Sequence, residues 1–484
     1  MYKHTTVKKS LILLVAALLV VAVMLSACGT QPHKAVSIPT SATPESNGGI
    51  AVKYGEWIYY VNGYQSSASV ENTYVDTTNA PRVGSVVRIE ASKLEEAVGV
   101  SVEDGKTSTV KTKEIAEIVR KNAQIVIPRI YYTANGTTPE LNGIWIFNNR
   151  IYILTPNDQL TAGGNTQTSQ MVLMSYNLGG GDEQRHYTFE SNSAQVWLYQ
   201  NENETVMATY VLNSELHVLT VGANEKSSVD KLIADEDAEI KTVRSVNFDV
   251  SGGYVFYLDA DGSICRLAKG STQPTVLVKN DSKQGDTNTI TYTIKFVSNG
   301  YVYYTVADTE NSSIKDVVLY YTNQEVTGDS IGSVALDTSD ITGMQGYNGK
   351  LIVVRARDDG YNGLYIVDSA DGKTMKCLLQ PGFNKKGITI NKVVGNELFY
   401  TVDSVTYIKK LDGEIDATNF GTPYAYSWQT AASVGWAAPD IVTIGTTTYM
   451  FTLSSNSVSV VKFDADKKTN STPATVLTLT AEEK

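Results

Sequence analysis

Cysteine, histidine and proline are all scarce in this chain, and each scarcity removes a class of protein. Three cysteines among 484 residues cannot staple a small disulfide scaffold, so the fold must rest on a hydrophobic core. Past the first ten residues only His33, His186 and His217 remain. No two of them lie at a zinc-ligand or HExxH spacing, and no metal or cofactor site is expected. There is no G-x-S-x-G nucleophile elbow, and Gly179-Gly180-Gly181-Asp182 has no Lys-Ser/Thr behind it, so it reads as a turn. Clusters of Lys and Arg are missing too. The first 27 residues hold three lysines and no acid, so the chain from residue 28 onward carries 37 basic and 51 acidic residues, net −14. A phosphate backbone would find no footing on it, and nucleic acid is disfavoured as a partner. Finally, no apolar run beyond residue 25 approaches the ~20 residues needed to cross a bilayer.

What is abundant is tyrosine and glycine. Twenty-nine tyrosines stand against 10 phenylalanines and five tryptophans, and 37 glycines against 12 prolines, a balance that favours strands joined by turns. The expectation is an all-β protein.

The amino terminus has a basic stretch from Lys3 to Lys9, then an unbroken apolar run from Leu11 to Leu25, then Ser26, Ala27 and Cys28. Fifteen apolar residues are too few for a spanning helix and suit an export signal. The ending Leu25-Ser26-Ala27-Cys28 resembles the lipobox of bacterial lipoproteins. That resemblance implies cleavage before Cys28 after lipidation of its thiol. It also implies a membrane anchor and an extracytoplasmic location, two acyl chains being enough for stable attachment. The competing reading is an ordinary secretory signal with a chance cysteine. Residues 28–48, rich in Ser, Thr, Pro and Gly, are expected to be a lipidated cysteine and a flexible tether, with the folded domain spanning 49–484. Cys265 and Cys377 fall in apolar segments and are expected to be buried free thiols.

From about residue 49 one pattern recurs: an apolar strand, a Gly/Asn turn, an aromatic-rich strand, a polar loop and further alternating strands. Residues 242–278 display it as Val243–Phe248, Gly253–Leu258, an Asp261-Gly262 turn, Ser263–Ala268 and Pro274–Val278; Asp-Gly between alternating runs is a strong hairpin signal. Second strands are expected to begin near Trp57, Arg150, Thr205, Tyr254, Tyr301, Lys350, Glu397 and Thr448, with gaps of 93, 55, 49, 47, 49, 47 and 51. Eight four-stranded units of this period predict an eight-bladed β-propeller. In the long first gap, Leu94, Ala97 and Val98, then Ile115, Ile118 and Val119, recur at helical spacing. A short helical insertion at about 91–125 is therefore expected, with a ninth blade as the alternative. Tyr303-Tyr304-Thr305, Phe399-Tyr400-Thr401 and Trp57-Ile58-Tyr59-Tyr60 resemble the YWTD-type repeats of low-density-lipoprotein-receptor-like propellers. That resemblance implies a binding or scaffold fold without a fixed activity.

The acidic-glycine turns Asp259-Ala260-Asp261-Gly262, Asp371-Gly372 and Asp412-Gly413 lack the further ligands of a calcium loop and read as hairpins. One concentration of aromatics lies outside the regular strands: Tyr424, Tyr426, Trp428 and Trp436, between repeats seven and eight, where a fourth strand is not evident. Either they offer flat faces to a sugar or peptide, or they pack where the ring closes. Trp436 sits among Gly435, Ala437 and Ala438 and is expected to pack; Trp428, between Ser427 and Gln429, is expected to be exposed. The functional expectation is a membrane-anchored binding or scaffolding module whose partner is an envelope protein, peptide or glycan. The alternatives are an exported enzyme cutting glycan or peptide with carboxylates alone, and an envelope-assembly or folding accessory.

Overall fold

The computed structural model describes residues 33, 36, 38, 41–63, 65–66, 84–99, 108–127, 132–133, 143–160, 166–191, 194–233, 242–280, 290–309, 318–326, 336–356, 361–368, 374–380, 387–424, 440–453, 458–463 and 474–475. Most of these form eight four-stranded antiparallel sheets, arranged as the blades of a propeller, each with its strands in chain order; Gln65–Ser66, between the second and third strands of the first blade, instead pairs in parallel with Tyr132–Thr133 as a separate two-stranded sheet. Second strands start at Trp57, Arg150, Val206, Tyr254, Tyr301, Lys350, Glu397 and Thr447, within one residue of the positions expected. The unit Arg244–Asp249, Tyr254–Leu258, Ile264–Ala268 and Thr275–Val278 reproduces the sequence reading strand for strand.

The first strand of each blade is the innermost. First strands touch those of the neighbouring blade in the pairs 8–1, 1–2, 4–5, 5–6 and 6–7. Second strands are sandwiched between adjacent blades. Ile58–Val61, Val302–Tyr304, Leu351–Val354 and Leu398–Tyr400 are all buried, which is why they read as continuous apolar or aromatic runs. Inner strands of blades 4 to 7 each carry a register shift, at Arg244/Asn247, Ile294/Phe296, Ile341/Gly343 and Ile390/Lys392. An extra residue there adds local twist, which lets a flat ribbon turn about the axis.

Two-residue turns join first to second strands at Asn148-Asn149, Asn299-Gly300 and Asn348-Gly349, all with positive φ, as such hairpins require. They also tie blade to blade. Tyr54 donates to Asn149 at 2.9 Å, Asn299 to Asn348 at 2.9 Å and Tyr347 to Asn396 at 2.9 Å, while the Gly300 amide donates to Asp249 at 2.5 Å.

The expected helices are Ala91–Gly99 and Ser108–Asn122, inserted between the third and fourth strands of blade 1. They bury Leu94, Ala97, Ile115 and Val119. They also reach blade 8: the short helix packs on Asp440–Ile444 and Val458–Phe463, and Tyr449 donates to Glu95 at 3.2 Å. One core cluster therefore joins blades 1, 2 and 8, and the insertion covers the seam where the ring closes. Blade 7 does have a fourth strand, Thr422–Tyr424, paired with Thr406–Ile408. It is only three residues long and contains a proline, so it carries no alternation to read. Cys265 is a buried free thiol and Cys377 a half-buried one, its thiol pushed up by burial.

Candidate functional site

Strand direction divides the ring into two faces. Inner strands end at the short-turn face, which carries the two-residue turns described above and the helical insertion. They begin at the long-loop face, where each fourth strand hands over to the next blade. The link from Tyr424 to Asp440 starts and finishes at this second face. Of the aromatics expected there, Tyr424 ends the fourth strand of blade 7, its backbone opposite Thr406. Tyr426, Trp428 and Trp436 lie outside the described residues, as does Cys28.

Where that link re-enters the ring stands Asp440, a residue the sequence reading passed over. It is the first residue of the blade 8 inner strand and only 2% exposed. It accepts from the Ala51 amide at 3.4 Å, and the Ile50 amide and Ser46 side chain also act on it. Burial pushes its carboxyl up to about 7, with the two amides, the Lys392 ammonium and Ser46 pulling the other way. Lys392, on the blade 7 inner strand, is correspondingly lowered by burial. Gly49 is required beside this group, because a Cβ there would stand 1.6 Å from the Asp440 carboxylate oxygen. Covered by residues 46–51, this buried carboxyl ties the first inner strand to the last.

Residues 45–48, assigned by composition to a flexible tether, are bound into the ring together with Gly49. Glu45 and Lys53 exchange backbone hydrogen bonds on the open inner edge of blade 1, and their side chains pair at 2.6 Å. The Glu45 carboxylate accepts from the Thr443 amide at 2.7 Å. Asn47 exchanges hydrogen bonds with Ile146, and Gly48 and Gly49 with Ile144. The segment thus touches the inner strands of blades 8, 1 and 2 in turn. Short polar residues satisfy backbone groups here as readily as they populate a linker, so composition could not separate the two.

Two polar networks lie between blades 2 and 3. In the buried one, the His186 Nδ1–H donates to the Gly222 carbonyl at 2.6 Å, which leaves Nε2 to accept from Ser175 Oγ at 2.7 Å. Arg150 donates to the same Oγ at 2.8 Å. Burial lowers the His186 pKa, keeping the imidazole neutral. Ser175 is fully buried, so this serine–histidine pair has no face to offer a substrate and acts as a strut. In the outer network, Asp230 accepts from Tyr210 at 2.8 Å, His217 at 3.0 Å and Tyr187 at 3.3 Å. Burial works to raise the Asp230 carboxyl, but these donors outweigh it and hold it below the usual carboxylate range. The His217 ring stacks on Tyr210 at 4.7 Å. The glycine run at 179–181 is a hairpin turn, with Gly180 and Gly181 at positive φ and Asp182 paired to Arg150 at 2.5 Å. Asp259 likewise closes its hairpin, accepting from the Gly262 and Ser263 amides.

No protein-family model matches the chain, and no curated protein matches it. Among solved structures it is similar to a prolyl endopeptidase, at 11% identity over 68% of this chain with a TM-score of 0.35; it spans about half, 49%, of that chain's length. It is also similar to Hsv2p of Kluyveromyces lactis, at 12% identity over 68% of this chain and 95% of that one, TM-score 0.32. A third is BamB of Moraxella catarrhalis, at 15% identity over 67% of this chain and 83% of that one, TM-score 0.31. The chain's own strand order makes it an eight-bladed β-propeller.

Proposed function

We propose that this protein is a lipid-anchored, extracytoplasmic lipoprotein whose propeller binds or scaffolds another component of the cell envelope, a protein, peptide or glycan. The Leu25-Ser26-Ala27-Cys28 ending supports the anchor, and the tyrosine-rich second strands support reading the blades as YWTD-type. The observation that carries the binding role is the concentration of aromatics in the sequence between two strand ends of the long-loop face. Second strands are buried on both faces and the short turns are tied blade to blade, whereas the 15-residue link from 425 to 439 begins and ends at the long-loop face. Tyr424, Tyr426, Trp428 and Trp436 concentrate four aromatic rings there, and aromatic faces stack on sugar rings and peptide side chains with little rotamer entropy to lose.

The test is capture of envelope components by the chain from residue 29 onward, with Trp428→Ala in parallel. A partner that is retained by the parent and lost by the variant supports the reading. A partner retained equally by both moves the site elsewhere.

A further inference from the structure

Two hydrogen bonds far upstream of the first blade bear on how the ring is held. The His33 amide donates to the Gly179 carbonyl at 2.8 Å, and its imidazole Nε2 meets the Ile125 carbonyl at 2.9 Å. Gly179 belongs to the turn before the last strand of blade 2, and Ile125 to the start of the last strand of blade 1. Both positions are at the short-turn face. From there Ile38 packs on the core shared by blades 1, 2 and 8. Residues 45–49 then run along the axis to the long-loop face, where the first inner strand begins.

We infer that the contacts of His33, Ile38 and residues 45–49 act together as a mount, which seats the propeller on the lipid surface by its short-turn face and turns the long-loop face away from the membrane. This rests on the lipoprotein reading, since it takes Cys28 as the anchored residue. Five residue steps separate Cys28 from His33, and a chain spans at most about 3.3–3.6 Å per residue, so the anchor lies within about 17 Å of His33. The seven-residue inner strand Ile388–Val394 rises about 23 Å at ~3.3 Å per residue. Reach from His33 is thus shorter than the ring is tall, and the anchor cannot pass to the opposite face. A free 20-residue tether would have an r.m.s. reach of about 25 Å and could present either face. With the mount in place, the strand ends at Tyr424 and Asp440 stand on the face turned away from the membrane.

The experiment uses the full-length lipidated protein in phosphatidylcholine vesicles containing headgroup nitroxide lipid. A fluorophore is attached either at Glu183→Cys, beside the blade 2 turn, or at Val405→Cys, whose native side chain is 40% exposed at the start of a third strand on the long-loop face. Both carry Cys377→Ser, and Cys265 is buried. Strong quenching at 183 with none at 405 is expected, and a flexible Gly-Ser spacer of ten residues inserted after Gly29 should remove that difference. Equal, reversed or absent quenching at the two sites, in protein whose Cys28 peptide carries the lipid mass, overturns the mount alone. A Cys28 peptide without lipid mass overturns the lipoprotein reading, and the mount falls with it.

Discussion

Replacing Asp440 by asparagine tests whether a neutral carboxyl closes the ring. The group's value rises from 3.8 to about 7 because burial penalises its charged form. An acid raised on folding binds a proton in the native state between those two values while the unfolded chain does not. Its stabilising contribution is therefore complete below about pH 4 and is lost as pH climbs through 7. Each pH unit in that window corresponds to about 1.4 kcal/mol; between pH 5 and pH 8 the loss amounts to about 2–3 kcal/mol. Asparagine keeps an oxygen for the Ala51 amide and removes the titration. In urea unfolding followed by circular dichroism, Asp440→Asn should match the parent near pH 4 within about 1 kcal/mol, and its advantage over the parent should grow by about 2–3 kcal/mol between pH 5 and pH 8. His186, lowered by burial, shifts stability in the opposite sense. It is present in both proteins and cancels in the difference. Parallel pH curves for the two proteins would refute the claim that the seam holds this carboxyl protonated.

Gly49→Ala should cost about 1–3 kcal/mol or more through overpacking, since its Cβ falls 1.6 Å from the Asp440 oxygen, whereas Gly387→Ala meets nothing within 4 Å and should leave the melting temperature unchanged. Ser175→Ala removes a partner of buried His186 and should destabilise by about 1–3 kcal/mol, measured by chemical denaturation. Trp428→Ala should alter stability by no more than about 0.5 kcal/mol if the ring is exposed, against roughly 3–5 kcal/mol if it packs in the seam; the melting temperature separates the two. Deleting residues 439–484 removes Val442, Ile444, Tyr449 and Phe451 from the core shared with blades 1 and 2, so the truncated chain should be insoluble. A soluble product with unchanged melting would indicate independent domains.

Blade number and strand position were legible because each second strand is packed on both sides, so its apolar run stands out wherever it recurs. Tyr303-Tyr304 and Phe399-Tyr400 are fully buried and mark their blades without ambiguity. The helices were legible from Leu94, Ala97, Ile115 and Val119, but their packing against blade 8 was not. Contacts across 350 residues, such as Glu95 with Tyr449, leave no periodic trace. Asp440 escaped notice for the same reason: an aspartate after a proline looks like a surface turn until residues 46–51 are folded over it. The stretch at 45–48 was misleading, because Ser, Asn and Gly serve a segment hydrogen-bonded along the axis as well as they serve a linker. For Tyr426, Trp428 and Trp436 the sequence supplies a reading that the described residues neither include nor alter.

The claim on which the functional account depends is that the mature chain begins at a lipidated Cys28. Intact mass and the amino-terminal peptide mass of the membrane-extracted protein test it directly. A mature chain starting at Cys28 with a diacylglyceryl addition, together with an unprocessed, unlipidated precursor for Cys28→Ser, is the predicted result. A mature chain that starts elsewhere or lacks lipid, or a Cys28→Ser protein that remains membrane-bound at its mature mass, would contradict it.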